Sequence, residues 1–364
     1  MKREWRHYHG LFQSRGLMVP DENTIRQTIE SKYPHSKPKL RGNLNILAIY
    51  HHYNWENQSL KPSLEKFGFV RHYDWFKEYN HQTKDWFHSV KSKMNEDLIR
   101  RVRLWIKKDG TDVIFTYLSG HIVNPETIRQ IRALGIPVFN LALNDKEAFV
   151  GKIKKGLAMG ARDICRYFDL CWTSTRDALE KYCVEGALPL YIPEGANPEI
   201  HRPLNEEKTI DVSFVGQCYG NRAEIIRKLR NHGIQVETYG YGWPNGPLST
   251  ENMVGLYSKS KINLGFGGVS GHKDTFCLKG RDFEIPMSGG LYLTEYHPEL
   301  ESCYDLTKEI VTYNGFEDLS EKIHSLLSKP EEANAIRHRG SERALRDHTW
   351  VTRFERILSL MGMI

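Results

Sequence analysis

Lys279, Arg281 and Glu284 fall within six residues, in the stretch Lys279-Gly280-Arg281-Asp282-Phe283-Glu284-Ile285-Pro286-Met287-Ser288-Gly289-Gly290 that runs straight into Leu291-Tyr292-Leu293-Thr294-Glu295. Cations at the start of a helix add their charge to its free N–H groups, a combination suited to a diphosphate. A carboxylate beside such an anion is out of place unless it accepts hydrogen bonds from neutral hydroxyls of the same ligand, and a ribose diol supplies them. Taken alone, the three residues read more readily as the solvated face of a surface helix, because structural ion pairs outnumber sites. The spacing predicts a short helix closed by Gly289 or Gly290 in the left-handed conformation, then at once a buried strand.

A second group lies upstream. Asp211-Val212-Ser213-Phe214-Val215-Gly216-Gln217 reads as a strand, and a helix from Ala223 to His232 follows it. Gly216 permits close backbone approach and Arg222 falls near the helix N-terminus, which is a phosphate-reading arrangement but a weak one by itself. Val236 to Trp243 is the next strand and turn, where Tyr241 or Trp243 either meets a flat ligand or packs within a tight turn. Ser249 caps a helix through Tyr257, and Ile262 to Phe266 is a strand that opens into the loop Gly267 to Asp274.

With Lys261-Ile262-Asn263-Leu264-Gly265-Phe266 before it and Tyr296-His297-Pro298-Glu299-Leu300-Glu301 after it, the cation-rich segment resembles the donor-nucleotide half of glycosyltransferases of the GT-B fold. The pattern is nearest to the group related to the spore maturation protein CgeB, whose members read "skInLnf", "K-x-R-x-FE-x-p-x-x-G" and "TEyxpEl". "FvG-x-x-y-x-x-R" matches around Gly216 and Arg222. Glu194 to Pro203 matches the connector "p-x-G-x-n-p-x-x-f-x-P", with Ile200-His201 departing from the usual aromatic. More weakly, the likeness extends from about Asn45 to the C-terminus.

The resemblance implies an α/β chain of two Rossmann-like, doubly wound parallel-sheet domains facing a cleft, with the last helix crossing back to the first domain. It implies a nucleoside-diphosphate sugar as donor, no metal and no further cofactor. Lys279, Arg281 and Arg222 then neutralise the diphosphate, Glu284 holds the ribose, and Gly289, Gly290 and Thr294 shape the adjoining turn. The loop with His272 and Asp274 would close over the sugar. Better-known retaining GT-B enzymes carry two glutamates eight positions apart, the second where Glu284 stands. Eight before Glu284 is Phe276, so His272 or Asp274 would have to serve that space, and the stereochemistry of transfer stays open.

At 364 residues and 40% hydrophobic, the chain suits two cores rather than one. The expected division is a basic extension over residues 1–43, an acceptor-binding domain over 44–200, a donor domain over 201–346 and a crossover helix over 347–364. The extension holds one helix near Asp21 to Tyr33. No run approaches eighteen apolar residues, and the start lacks the apolar core of a signal peptide, so a soluble, cytoplasmic chain is expected. The six cysteines carry no metal spacing and read as reduced. Residues 1–207 hold 32 Lys and Arg against 25 Asp and Glu, an excess that can attract an acidic acceptor, the anionic inner face of a membrane or nucleic acid, or merely keep the chain soluble.

From Leu44 strands and helices alternate. Apolar runs at Leu44 to Tyr50, Val113 to Tyr117 and Pro137 to Ala142, with helices over Lys91–Lys108 and Pro125–Leu134, imply parallel βαβ units. Ligands lie beyond the carboxyl ends of such strands. The loops found there hold His52, His121 and Asp145, each able to take a proton from an acceptor hydroxyl. Sixteen histidines make such placements common by chance, and Asp145 equally suits an N-cap. His121 is preferred as catalytic base, with Asp145 and His52 behind it. The function expected is transfer of a sugar from the nucleoside-diphosphate donor to a hydroxyl of a glycan, glycolipid, protein or small molecule, with a carbohydrate or small molecule as the acceptor partner. A nucleotide-sugar epimerase, a transferase acting on DNA and a noncatalytic nucleotide-sugar binding module are the alternatives.

Overall fold

The computed structural model describes residues 2–269 and 272–364, with side chains except at 272–274. The chain forms two compact units, Met1–Pro193 with Arg353–Ile364, and Glu194–Thr352. Each has its own parallel sheet.

In the first unit α1 (Lys2–Ser14) and α2 (Glu22–Lys32) precede the sheet, α2 opening on an Asp21 cap that accepts the Thr24 N–H. Tyr8 and Phe12 of α1 are buried in the same core as Phe149 and Tyr182, so residues 2–14 are packed into the body of the unit. The chain continues through β1 (Leu44–Ile49), α3 (Glu56–Glu65), β2 (Gly68–Tyr73), α4 (Lys91–Asp109), β3 (Val113–Thr116), α5 (Pro125–Arg132), β4 (Val138–Ala142) and α6 (Asp145–Ala148). A small hairpin of β5 (Ile153–Lys154) and β6 (Leu157–Ala158) leads to β7 (Leu170–Thr173), α7 (Leu179–Val184) and β8 (Pro189–Tyr191). The sheet order is β2-β1-β3-β4-β7-β8, parallel throughout. The central strands β3 and β7 are buried at every position, as continuous apolar runs covered on both faces must be. Gly110 ends α4 in the left-handed conformation at φ 67°, where a side chain would be strained.

The second unit runs through β9 (Ile210–Val215), α8 (Arg222–Asn231), β10 (Val236–Tyr239), α9 (Thr250–Lys259), β11 (Ser260–Gly265), β12 (Gly268–Val269), β13 (His272–Phe276), α10 (Arg281–Met287), β14 (Tyr292–Glu295) and β15 (Val311–Tyr313). Three helices follow, α11 (Gly315–Ser328), α12 (Pro330–Asp347) and α13 (Trp350–Leu360). The order β10-β9-β11-β14-β15 is again all parallel. From Arg353 onward α13 belongs to the first unit, where the Phe354 ring meets Phe115 and Trp172 edge-on.

Both sheets reverse their winding beside the first strand, between β1 and β3 and between β9 and β11. In doubly wound sheets that switch point leaves a crevice beyond the carboxyl ends of the strands. The edge strands β2 and β15 are absent from the sequence expectation. The helix α10 is short, as its sequence predicts, with seven residues that begin at Arg281. Thr294 lies within β14, in the strand expected after the glycines, paired with Gly265 and Thr312.

Candidate functional site

In the second unit, Gly216 follows β9, Arg222 opens α8 and Arg281 opens α10. The two guanidinium groups share one ring, each with its central carbon 5.4 Å from the Phe214 centroid. Arg222 is buried and occupied: Nη1 donates to the Gln217 carbonyl at 2.8 Å, and Nη2 to the Tyr219 hydroxyl at 2.8 Å and the Phe266 carbonyl at 3.3 Å. Burial, and then the neighbouring Arg281 charge, push its pKa down to about 10. Arg281 is different. Its Nη1 is buried and has no hydrogen-bond partner. A Cβ on Gly216 would stand 2.6 Å from Arg281 Nη2 and 2.9 Å from Phe214 Cζ, at a φ of 155°, so this approach of backbone to guanidinium needs glycine.

Lys279 donates its backbone N–H to Asp282 Oδ2 at 2.7 Å and its ammonium to the Cys277 sulfur at 3.1 Å. Among the described residues, none of Arg222, Lys279 and Arg281 is ion-paired with a carboxylate. Glu284 and Glu194 both approach Gly280, whose added Cβ would lie 3.1 Å from Glu284 Oε1 and 3.6 Å from Glu194 Oε2. His201 Nε2 stands 3.8 Å from Glu284 Oε1. Burial, then the Glu284 and Asp282 charges, raise the Glu194 carboxyl to about 8. Burial also raises Asp282, which accepts the Tyr292 hydroxyl, and lowers His201.

The remaining expected donor residues separate. Trp243 is pinned by its Nε1–H to the Gly216 carbonyl at 2.8 Å, while Tyr241 is 71% exposed. Gly289, at φ 71°, closes α10 against Pro203. Gly290 sits against Asn263 and Ile285, and Thr294 is buried under Gly265. His272 and Asp274 lie outside the residues whose side chains are described.

In the first unit the β1/β3 switch point opens into a cavity of about 440 Å³ whose lining includes Tyr53, Trp55, Glu56, Tyr117, Ser119, Asn144 and Asp145. Glu56 Oε2 accepts the backbone N–H groups of Tyr53, Asn54 and Trp55 at 2.9, 2.9 and 3.1 Å, fixing the loop that carries both rings. Asp145, the first residue of α6 and not its cap, is buried, and its Oδ2 accepts the Tyr182 hydroxyl at 2.9 Å. Burial raises its carboxyl to about 6 against the pull of Thr173, Tyr182 and Lys181. His121 borders a neighbouring cavity of about 370 Å³ with Phe87, Lys152 and Lys154; this cavity has Ala148, Met159 and Gly160 in common with the first, which His121 does not line. Its ring stacks on Trp86, and burial lowers its pKa. His52 lines neither cavity; its Nδ1 accepts the Asn57 N–H at 3.3 Å in the first turn of α3.

Over 87% of its length the chain superposes on 98% of sucrose-phosphate synthase from Thermosynechococcus elongatus, at 12% identity and a TM-score of 0.60. HepE of Anabaena, solved with UDP and glucose, matches 88% of this chain over its full length at 8% identity and a TM-score of 0.58. AviGT4, a glycosyltransferase involved in avilamycin A biosynthesis, matches 88% of this chain and 97% of its own, at 15% identity and a TM-score of 0.55. The chain has the GT-B fold. Residues 222–359 of this GT-B chain also match a family described as glycosyl transferase-like, a span that begins at Arg222 and takes in Lys279, Arg281 and Glu284. No curated protein matches the sequence. Among the described residues no group of three or more His, Cys, Asp or Glu is arranged to hold a metal ion, and no helix is long and apolar enough to cross a membrane.

The sequence assigned no role to Glu194, Tyr219, Phe214 and Glu56, although Phe214 and Tyr219 stand in the matched pattern before Arg222. Glu194 and Phe214 acquire their neighbours only through the fold. Tyr219 had a legible signal, three residues before Arg222 at a helix start, and so did Glu56, an acid directly after a loop of polar and aromatic residues.

Proposed function

We propose that the protein is a glycosyltransferase that moves a sugar from a nucleoside-diphosphate sugar, bound in the second unit, to a hydroxyl of an acceptor bound in the first. One observation carries the reading: Arg281 holds a buried Nη1 with no hydrogen-bond partner at the β9/β11 switch point. A buried guanidinium donor left open in the free protein is costly unless a ligand supplies the acceptor. Arg222 and Lys279 add positive charge with no carboxylate paired to either, which favours an anion as dense as a diphosphate. Such cations stabilise the charge that develops as the diphosphate departs, and in this reading they do so without metal. Glu284 takes the ribose hydroxyls. The resemblance of the Lys279 to Glu284 segment to CgeB-related enzymes supports that assignment, and the UDP and UDP-glucose named for HepE make UDP the first nucleotide to try.

For the base that receives the acceptor proton, the geometry favours Asp145 over His121 and His52. Asp145 lines the larger cavity, and a carboxyl of about 6 is ionised near neutrality yet basic enough to take a proton in the transition state.

The test is a thermal-shift and calorimetric screen of the wild type, Arg281→Ala and Glu284→Ala with UDP, GDP, dTDP, ADP and CDP and their common sugars. A shift with one base, largely lost in both variants, is expected. No shift with any nucleotide at millimolar concentration on folded protein would overturn the reading. Donor consumption that depends on added acceptor separates transfer from epimerisation, and activity retained in EDTA is expected.

A further inference from the structure

The first unit's 440 Å³ cavity has a chemical character narrower than its role as an acceptor site requires. The aromatic residues Tyr53, Trp55 and Tyr117 line it, and both of its charged residues, Glu56 and Asp145, are acids. Neither a lysine nor an arginine is among its lining residues. Lys152 and Lys154 border only the neighbouring cavity. Glu56 is spent on three backbone N–H groups, but its charge stays in the wall. Asp145 is 3% exposed, and its Oδ1 lacks a hydrogen-bond partner of sound geometry, so an acceptor position remains beside the cavity.

Flat rings bind the apolar C–H faces of pyranoses, carboxylates and amides bind their hydroxyls, and buried carboxylates repel anions with little screening. The volume is that of a small-molecule site able to take one or two sugar rings. We infer that this cavity selects its acceptor by charge, taking an uncharged or cationic polyhydroxylated ring, a neutral sugar or an amino sugar, and excluding uronates, sugar phosphates and nucleic acid. The inference rests on the glycosyltransferase reading. In the reaction the acceptor O–H bond breaks and its proton passes to Asp145, while the acceptor oxygen bonds to the anomeric carbon. The anomeric C–O bond to the diphosphate breaks, and its electron pair leaves with the nucleoside diphosphate. An ammonium on the sugar would gain from Asp145; a second anion would lose.

The net excess of lysine and arginine over residues 1–207 points the other way, toward an acidic acceptor. The cavity wall does not share that excess. The basic residues of α4, among them the exposed Arg103, Lys107 and Lys108, do not line it.

The experiment compares ligands that share one ring and differ in charge. Saturation-transfer NMR on the full chain, with UDP present, measures methyl glucoside, glucosamine, glucuronate and glucose 6-phosphate, and the same four in the galacto and manno series. At least one neutral or amino sugar should bind, with the anions of the same series about tenfold weaker or worse. Asp145→Asn should narrow the gap between amino sugar and uronate. Anions binding as well as or better than their neutral counterparts would overturn the inference, and so would the absence of sugar binding in every series. A UDP thermal shift on the same sample keeps the two readings apart. With UDP bound and the sugars indifferent to charge, the acceptor inference fails alone; with no UDP bound, the glycosyltransferase reading fails.

Discussion

Replacing Arg281 by methionine should stabilise the second unit and at the same time weaken its grip on a nucleoside diphosphate. In the free protein Arg281 Nη1 is buried without a partner, and the group lies close enough to Arg222 to help depress that residue's pKa to about 10. An unsatisfied buried donor costs about 1–3 kcal/mol, and methionine removes the guanidinium that lies beside Phe214 and Gly216 while keeping an apolar side chain there. Relief of even about 1 kcal/mol raises the melting temperature of a unit this size by roughly 2–4 °C. A charge-assisted hydrogen bond to phosphate contributes about 1.5–3 kcal/mol, so UDP affinity should fall by roughly 10- to 150-fold. Differential scanning calorimetry without ligand and titration calorimetry with UDP measure the two effects separately. A melting temperature that falls, together with unchanged UDP affinity, would show that Arg281 is a structural group satisfied within the protein, and the assignment of the donor site would go with it.

Three further expectations use other residues. Gly216→Ala places a methyl 2.6 Å from Arg281 Nη2 at a φ of 155°, so both the melting temperature and UDP affinity should drop, unlike the opposed changes expected for Arg281→Met. Asp145 has a carboxyl raised from 3.8 to about 6, so it favours the folded state below about pH 4 and loses that contribution, on the order of 3 kcal/mol, as pH rises to about 6. Urea denaturation of the wild type and Asp145→Asn between pH 4.5 and 7.5 should show about 2 kcal/mol of that difference, while the rate of transfer in the wild type rises over the same window as the base ionises. UDP lacking its 2′- and 3′-hydroxyls should bind the wild type about tenfold more weakly than UDP, and Glu284→Ala should scarcely distinguish the two; equal discrimination by both proteins would remove Glu284 from the ribose.

The interior of each sheet could be read from the chain because a strand covered on both faces must be apolar throughout, as Val113 to Thr116 and Leu170 to Thr173 are. The edges were less uniform: β10 was legible, but β2 and β15 were not. Gly68-Phe69-Val70-Arg71-His72-Tyr73 mixes charge with apolar residues because one side of β2 has no neighbour, and Phe69 is 55% exposed. Ends of helices were legible where a cap is a side-chain event, as at Asp21 and Ser249. The candidate donor residues were visible as residue types, yet the difference between Arg222, with its hydrogen bonds made inside the protein, and Arg281, with Nη1 open, depends on where Gln217, Tyr219 and Phe266 fall in space. The place of His52 depended on the fold in a similar way: its Nδ1 accepts the Asn57 N–H in the first turn of α3.

Glu56 sets the first unit apart at the end of its first strand. A loop leaving the first strand of a Rossmann-like sheet tends to turn several N–H groups toward one point, and in many proteins a phosphate fills it. Here the Glu56 carboxylate fills it from within, taking the N–H groups of Tyr53, Asn54 and Trp55. The first unit therefore keeps the scaffold of a phosphate reader with its socket already plugged. Two similar architectures joined in one chain thus differ where their first strands end: Glu56 takes up the loop N–H groups in the first unit, and Gly216 stands beside Arg281 in the second.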